Sequence, residues 1–346
     1  MTVTSASAAA SCRVVTGAVA VLLLLPASPA LLATPAAASV ASPSASPGTS
    51  AAPGTSDAAE PLAGAPGSRA ALSKKVSARA WIVADAKTGA VIAAHNPHTK
   101  LPPASTLKAL FALAALPRVP GKALRKVSKK DLAGVGEGSS VVGVKAGRTY
   151  RAADLWRGTF LRSGNDAVHV LAAMNGGWKS SVTQMQAKAR ALGARNTRVV
   201  TADGYDAPGQ YSTAYDLALF GRAGLKNSQF AQYAATAYSR FPSSTRADGS
   251  HISSYPIQNT NRLLTGADGV GRYPGLIGIK NGYTSKAGNT LIAAARRGGR
   301  TLIVTVLNPQ QGNGLAVYRE ARALLDWGFK SVGHVKTLGT LNQPER

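Results

Sequence analysis

Cysteine is all but missing. Cys12 is the only one in 346 residues, which excludes a disulfide framework and a cysteine-ligated zinc site. No His-Glu-x-x-His occurs, so the helical zinc-protease signature is absent too, and nothing in the sequence calls for a metal or a cofactor. Acidic side chains are scarce, 15 against 40 Lys and Arg, for a net charge of +25, and no glutamate lies between Glu137 and Glu320. No stretch supplies the roughly 20 consecutive apolar residues of a membrane-spanning helix. What is present, 45% hydrophobic and 16% charged residues, is the balance of a globular chain rather than of a disordered one.

The front reads as an address. Arg13 precedes an apolar run, Val14 to Leu25, which Pro26 stops, and Ala36-Ala37-Ala38 offers an A-x-A cleavage site. Residues 1–38 are therefore expected to be a signal peptide directing secretion; the chain would be membrane-tethered only if that segment were retained. Residues 39–70 are rich in Ala, Ser, Pro and Gly and cannot bury enough surface to offset their ordering entropy, so a flexible linker is expected. Residues 1–70 hold as many acidic as basic side chains, so the whole charge excess lies in 71–346. Such a field attracts anionic partners, whether nucleic acid, membrane head groups or anionic wall polymers, and export argues against the first. Lys122, Arg125, Lys126, Lys129 and Lys130, the densest basic stretch, read at helical spacing as a solvated face.

The folded part, 71–335, begins with strand character around Trp81, Ile82 and Val83, a turn at Asp85–Gly89, and a returning strand to Ala94. Ala104 to Leu116 predicts a helix apolar nearly all round, which belongs in a core. Helical stretches at 152–161, 166–174 and 181–192 follow. Leu276 to Ile279 leads as a strand into Lys280, and Asn289–Ala295 and Thr301–Leu307 predict a hairpin through Gly298-Gly299. Gly314–Trp327 closes as an amphipathic helix. This order predicts an α+β fold: one antiparallel sheet built from both ends of the chain, flanked by helices, with a mostly helical lobe inserted between. Residues 336–346 are expected to form a short tail.

Three short patterns could carry chemistry. Ser105 and Lys108, three apart at the start of the apolar helix, share a face, so hydroxyl and amine can meet. Burial lowers the proton affinity of an amine, and a helix N-terminus stabilises an oxyanion, so the pair could form a nucleophile and its base. Alone, it equally fits a capping serine with an exposed lysine. Ser163-Gly164-Asn165 reads as a turn capping the next helix or, in a site, as a proton relay (Ser163) and an amide donor (Asn165). Lys280-Asn281-Gly282 ends an apolar strand, where Lys280 could hold a carboxylate and Gly282 could let a substrate backbone lie close.

Taken in order, Ser-x-x-Lys, Ser-x-Asn and Lys-x-Gly form the motif set of penicillin-binding proteins and class A β-lactamases. From about Ala78 to Phe329 the chain resembles the low-molecular-mass D-alanyl-D-alanine carboxypeptidases of that superfamily. Asp85–Gly89, Leu101–Lys108, Leu161–Ala167, Gly209–Ala214, Asn259-Thr260-Asn261, Lys280–Thr284 and Ala287-Gly288 carry the resemblance. It implies a β-lactamase/transpeptidase-like fold at the cell wall, acting on peptidoglycan stem peptides that end in D-Ala-D-Ala, with β-lactams as covalent inhibitors. Ser105 would be acylated and Lys108 would be the general base. The leaving D-Ala would be protonated through a Lys108–Ser163 relay. The main-chain N–H groups of Ser105 and Tyr283 would form the oxyanion hole, Asn165 would donate to the substrate amide, and Lys280, Asn281 and Thr284 would hold the carboxylate. Asn281 departs from the threonine usual in the family; its amide is longer than a hydroxyl and differently placed.

A β-lactamase shares the motifs, but the class A enzymes use a glutamate for deacylation, and the glutamate gap covers the region after Asn165 where it would lie. A slowly reversed penicilloyl adduct is expected instead. A catalytically impaired wall-binding scaffold of the same fold is the non-enzymatic alternative, opposed by the intact Ser105, Lys108, Ser163, Asn165 and Lys280. A Ser-His-Asp hydrolase lacks its Gly-x-Ser-x-Gly elbow.

Overall fold

Strand β1 (Ala78–Asp85), β-branched and aromatic at its centre, turns into β2 (Ala90–His95) because Asp85 Oδ1 accepts from the main-chain N–H groups of Lys87 (2.9 Å) and Thr88 (2.8 Å). The computed structural model describes Leu72 and residues 75–341, which belong to the compact unit Asp57–Arg346. The expected signal segment, 1–38, and linker, 39–70, lie outside the described residues.

After a 3₁₀ turn at Ala104–Leu107 come α1 (Lys108–Ala115), the short strands β3 (Leu124–Lys126) and β4 (Thr149–Arg151), and α2 (Ala152–Leu161). The helical block continues through α3 (Asn165–Met174), α4 (Trp178–Ala191), α5 (Ala214–Leu225) and α6 (Ser228–Ala235). A hairpin of β5 (Tyr238–Thr245) and β6 (His251–Gln258) and the short α7 (Arg262–Thr265) follow. The chain then returns to the main sheet with β7 (Leu276–Thr284), β8 (Gly288–Arg297) and β9 (Arg300–Pro309), crosses it as α8 (Ala316–Ser331), and adds β10 (Gly339–Thr340).

The six-stranded sheet runs β10-β2-β1-β9-β8-β7, and its described pairings are antiparallel. The expected architecture is therefore present: strands from the two ends of the chain meet at β1–β9, with the helical block inserted between them. β1 reads as an almost unbroken apolar run because both faces are covered. Ala80, Ile82 and Ala84 pack into the core shared with α1 and α5, while Trp81 and Val83 pack against Val317, Ala321, Leu324 and Leu325 of α8. α1 is buried nearly all round, as its composition predicts.

Three features differ from the sequence reading. The basic stretch from Lys122 forms no helix: it lies in β3 and a 3₁₀ turn, where Asp131 binds Arg125 at 2.7 Å. The β5–β6 hairpin went unforeseen, because Pro242 and Pro256 interrupt its strand pattern; in this two-stranded ribbon the register shifts beside Pro242, and Pro256 pairs opposite Arg240. Residues 339–341, read as part of a tail, instead extend the sheet beside β2, with Leu341 buried.

Candidate active site

The local backbone brings Ser105 and Lys108 together. They span the junction between the 3₁₀ turn and α1, and in a 3₁₀ turn side chains at i and i+3 eclipse one another. Lys108 Nζ lies 2.7 Å from Ser105 Oγ. Because α1 runs through the core, its lysine is carried inside and is 1% exposed. The amine also donates to Asn165 Oδ1 (2.7 Å), at the start of α3, and to the main-chain carbonyl of Asp203 (2.6 Å). Asn165 in turn donates to Ser139 Oγ at 2.9 Å. Burial is the dominant influence on Lys108 and lowers its pKa to about 8, against the opposing pull of Asp203 and Asp166. An amine with that proton affinity is a competent base near neutrality.

Two glycines permit the close approach of backbone to this turn. A Cβ on Gly204 would stand 2.1 Å from the Ala104 carbonyl, and one on Gly282 would stand 2.7 Å from Ser105 N. Ala104 itself has φ +49°, a left-handed conformation unusual for a residue with a side chain, immediately before the nucleophile. Gly282 belongs to β7, the edge strand of the sheet, so an open sheet edge runs beside Ser105. That edge can pair with an extended peptide.

Lys280, also on β7, is 1% exposed, and its amine donates to the Asn281 carbonyl at 2.7 Å. Burial first, and the charge on Lys108 second, hold its pKa well below the ordinary lysine value. Tyr283 is 67% exposed beside Gly282. The side chains of Asn281 and Thr284 are engaged within the protein: Asn281 Oδ1 accepts from Thr260 Oγ1 (2.9 Å), and Thr284 Oγ1 donates to Asp206 Oδ1 (2.8 Å).

Ser163 is not hydrogen-bonded to Lys108 in this structure. Lys108 has three donors, and Ser105, Asn165 and Asp203 occupy them, so no Lys108–Ser163 bond forms. The Ser163 hydroxyl is buried without a hydrogen-bond partner, on a residue with φ +58°. Asp203, Ser139, Gly204, Thr260 and Asp206 all contact site residues and were given no role from the sequence. Only the Asp203-Gly204 pair carries a local signal, that of a turn. Among the described residues no group of three or more His, Cys, Asp or Glu side chains could hold a metal ion.

A serine hydroxyl against a buried amine, beside an open strand edge, defines a serine acyl-transfer enzyme of the Ser-x-x-Lys type. The chain belongs to the D-alanyl-D-alanine carboxypeptidase family, whose model matches residues 67–311. It is 41% identical over 255 residues to D-alanyl-D-alanine carboxypeptidase DacB2 of Mycobacterium tuberculosis, covering 73% of this chain and 82% of that protein. It is 35% identical to DacC of Escherichia coli over 74% of this chain, and spans 62% of DacC. Among solved structures it is similar to the D-alanyl-D-alanine carboxypeptidase of M. tuberculosis H37Rv, with a TM-score of 0.68 and 38% identity, covering 77% of this chain and 95% of the other. The Streptomyces K15 DD-transpeptidase matches with a TM-score of 0.66 and 27% identity, covering 74% and 98%.

Proposed function

We propose that this enzyme removes the terminal D-Ala from peptidoglycan stem peptides through an acyl-enzyme on Ser105. The observation that carries the reading is the 2.7 Å contact between Lys108 Nζ and Ser105 Oγ, made by an amine whose pKa is lowered to about 8. Neutral Lys108 takes the Ser105 proton as Oγ attacks the carbonyl of the penultimate D-Ala. The oxyanion is received by the main-chain N–H groups of Ser105 and Tyr283. The C–N bond then breaks, the Lys108 ammonium returns the proton to the departing amine of D-Ala, and Ser105 is left as an ester. The buried Ser163 hydroxyl, with no partner of its own, is available to pass that proton once the Lys108–Ser105 bond opens. Water, deprotonated by Lys108, hydrolyses the ester.

The substrate lies along the open edge of β7, with its amide oriented by Asn165. Its carboxylate is drawn to Lys280, whose buried amine offers it a partner shielded from water. Asn281 and Thr284 shape that end of the site from their bonds to Thr260 and Asp206. Penicillins acylate the same hydroxyl. The leader at 1–38 supports export to the cell wall, and the charge of +25 supports adhesion there to anionic wall polymers.

The test follows D-Ala release from a pentapeptide ending in D-Ala-D-Ala, together with labelling by a fluorescent penicillin. The wild type is expected to do both, and Ser105→Ala neither. A wild type that releases no D-Ala and takes no label overturns the reading.

A further inference from the structure

Behind Lys108 lies a buried ionisable pair that the acyl-transfer steps do not use. Asp203, 2% exposed, follows Ala202 in the loop that passes over the Ser105 turn, and its carbonyl accepts from Lys108 Nζ. Its carboxylate accepts from the Tyr205 N–H at 2.9 Å and faces His169 Nε2 at 3.6 Å. That last separation exceeds a hydrogen bond, so the attraction there is electrostatic. His169, 8% exposed on α3, is held by its ring: Trp178 of α4 lies against it with centroids 4.2 Å apart, and Gly134 covers its edge. Two ionisable groups are thus kept out of water, one of them on the residue whose carbonyl holds the base.

We propose that Asp203 sets the proton affinity of Lys108 and that His169 moderates Asp203, making the two a positioning pair for the base of the reaction above. A carboxylate carried by the residue whose carbonyl binds the amine favours the ammonium, which is the inactive form of a base. With a proton on Nε2, the His169 ring places positive potential against that carboxylate and weakens its field at Lys108. The pair therefore works by opposition: Asp203 holds the proton on Lys108, and His169 loosens that hold.

Other charged groups around His169 do not replace this arrangement. Asp166, on the same helix, adds its own pull toward the Lys108 ammonium, from a carboxylate fixed by the main-chain N–H groups of Val142, Gly143, Val144 and Ala167. The face of α4 against the ring offers Trp178, which carries no charge. In the 3₁₀ turn at Lys130–Leu132, which packs on α3, Lys130 is exposed and Asp131 is paired with Arg125. The pKa of Asp203 agrees with a charged carboxylate: burial pushes it up, but His169, Lys108 and the Tyr205 N–H together hold it below the ordinary value.

The inference rests on Ser105 being acylated with Lys108 as base, so its test reads that step directly. The second-order rate of labelling by a fluorescent penicillin is measured against pH for the full-length wild type, Asp203→Asn and His169→Phe. Asp203→Asn keeps the main-chain carbonyl and removes the charge. Its midpoint should move to lower pH by about half to one unit, a gain of about 2.5- to 5.5-fold in neutral amine at pH 7. His169→Phe keeps a ring against Trp178 and strips the carboxylate of its moderator, so its midpoint should move to higher pH. A role confined to packing would lower stability or labelling yield and leave both midpoints in place. Midpoints coincident with the wild type, or displaced in the same direction, overturn the proposal. If Asp203→Asn does not fold, the displacement in His169→Phe decides alone. A wild type that takes no label refutes the acylation of Ser105 itself, an outcome distinct from the failure of the pair.

Discussion

Replacing Gly282 by alanine tests whether the strand edge and the nucleophile are built as one unit. The added Cβ would stand 2.7 Å from Ser105 N, 2.7 Å from Thr290 Oγ1 and 3.0 Å from Ala104 Cβ, whereas ordinary contact begins at 3.4 Å. About 0.7 Å must therefore be found, because repulsion rises steeply inside the contact distance. The Ser105 turn cannot yield it, since Gly204 already presses its main chain onto the Ala104 carbonyl from another side. Nor can Thr290 turn away without losing its bond to the Pro103 carbonyl at 3.1 Å. β7 can yield, because within the sheet it pairs only with β8. The strand edge then retreats from Ser105, and a displacement approaching 1 Å in a preorganised site costs up to about 100-fold in rate. Overpacking alone should cost about 1–3 kcal/mol of stability. Penicillin acylation of Gly282→Ala, followed over time beside thermal unfolding, should slow by about 10- to 100-fold while its pH midpoint stays that of the wild type, since Lys108 is untouched. An acylation rate within a factor of about three of the wild type, in a folded variant, refutes the reasoning that backbone contact at Gly282 fixes the geometry.

Two further outcomes are expected. With the Lys108 pKa lowered to about 8 and the neutral amine as the competent form, acylation should rise with pH and reach half its plateau near pH 8. The rate should climb about fivefold between pH 7 and pH 8, and a rate constant flat from pH 6 to 9 excludes Lys108 as the titrating base. Asn281→Thr removes the acceptor that Asn281 Oδ1 presents to Thr260 and places a shorter hydroxyl at the carboxylate end of the site. Steady-state kinetics on the pentapeptide should show KM lower by about fivefold, the worth of one hydrogen bond of about 1 kcal/mol. Penicillin acylation and peptide turnover both unchanged mean that the side chain at 281 does not touch substrate.

What the sequence disclosed depended on whether local geometry or distant backbone decides the contact. Ser105 and Lys108 were legible because three residues of helical chain suffice to bring them together. The β8–β9 hairpin was legible because two apolar runs flank Gly298-Gly299, and β1 because its apolar stretch is short, β-branched and bounded by a turn. The β5–β6 hairpin was not, since its prolines contradict the strand pattern, which a two-stranded ribbon tolerates through a register shift beside Pro242. Within the site, Asp203 binds Lys108 through a carbonyl that any residue would offer, so no side chain there advertises the role.

The same circumstance explains why Ser163 makes no bond to Lys108 in the resting site. A lysine has three protons to donate, and the sequence supplied only two candidate partners, Ser105 and Ser163, with Asn165 read as a donor toward substrate. The fold supplies the Asp203 carbonyl as an acceptor and turns Asn165 Oδ1 inward as another, which fills the ammonium before Ser163 can be reached. In the resting site, then, Lys108 is held as a fully satisfied cation despite its burial. To act as a base it must surrender one proton and reverse one bond. The bond to Ser105 is the one that can reverse, because a hydroxyl can donate as well as accept, whereas the Asp203 carbonyl and Asn165 Oδ1 can only accept. The two acceptors that hide Ser163 from Lys108 are therefore what directs the free lone pair of the neutral amine toward the nucleophile.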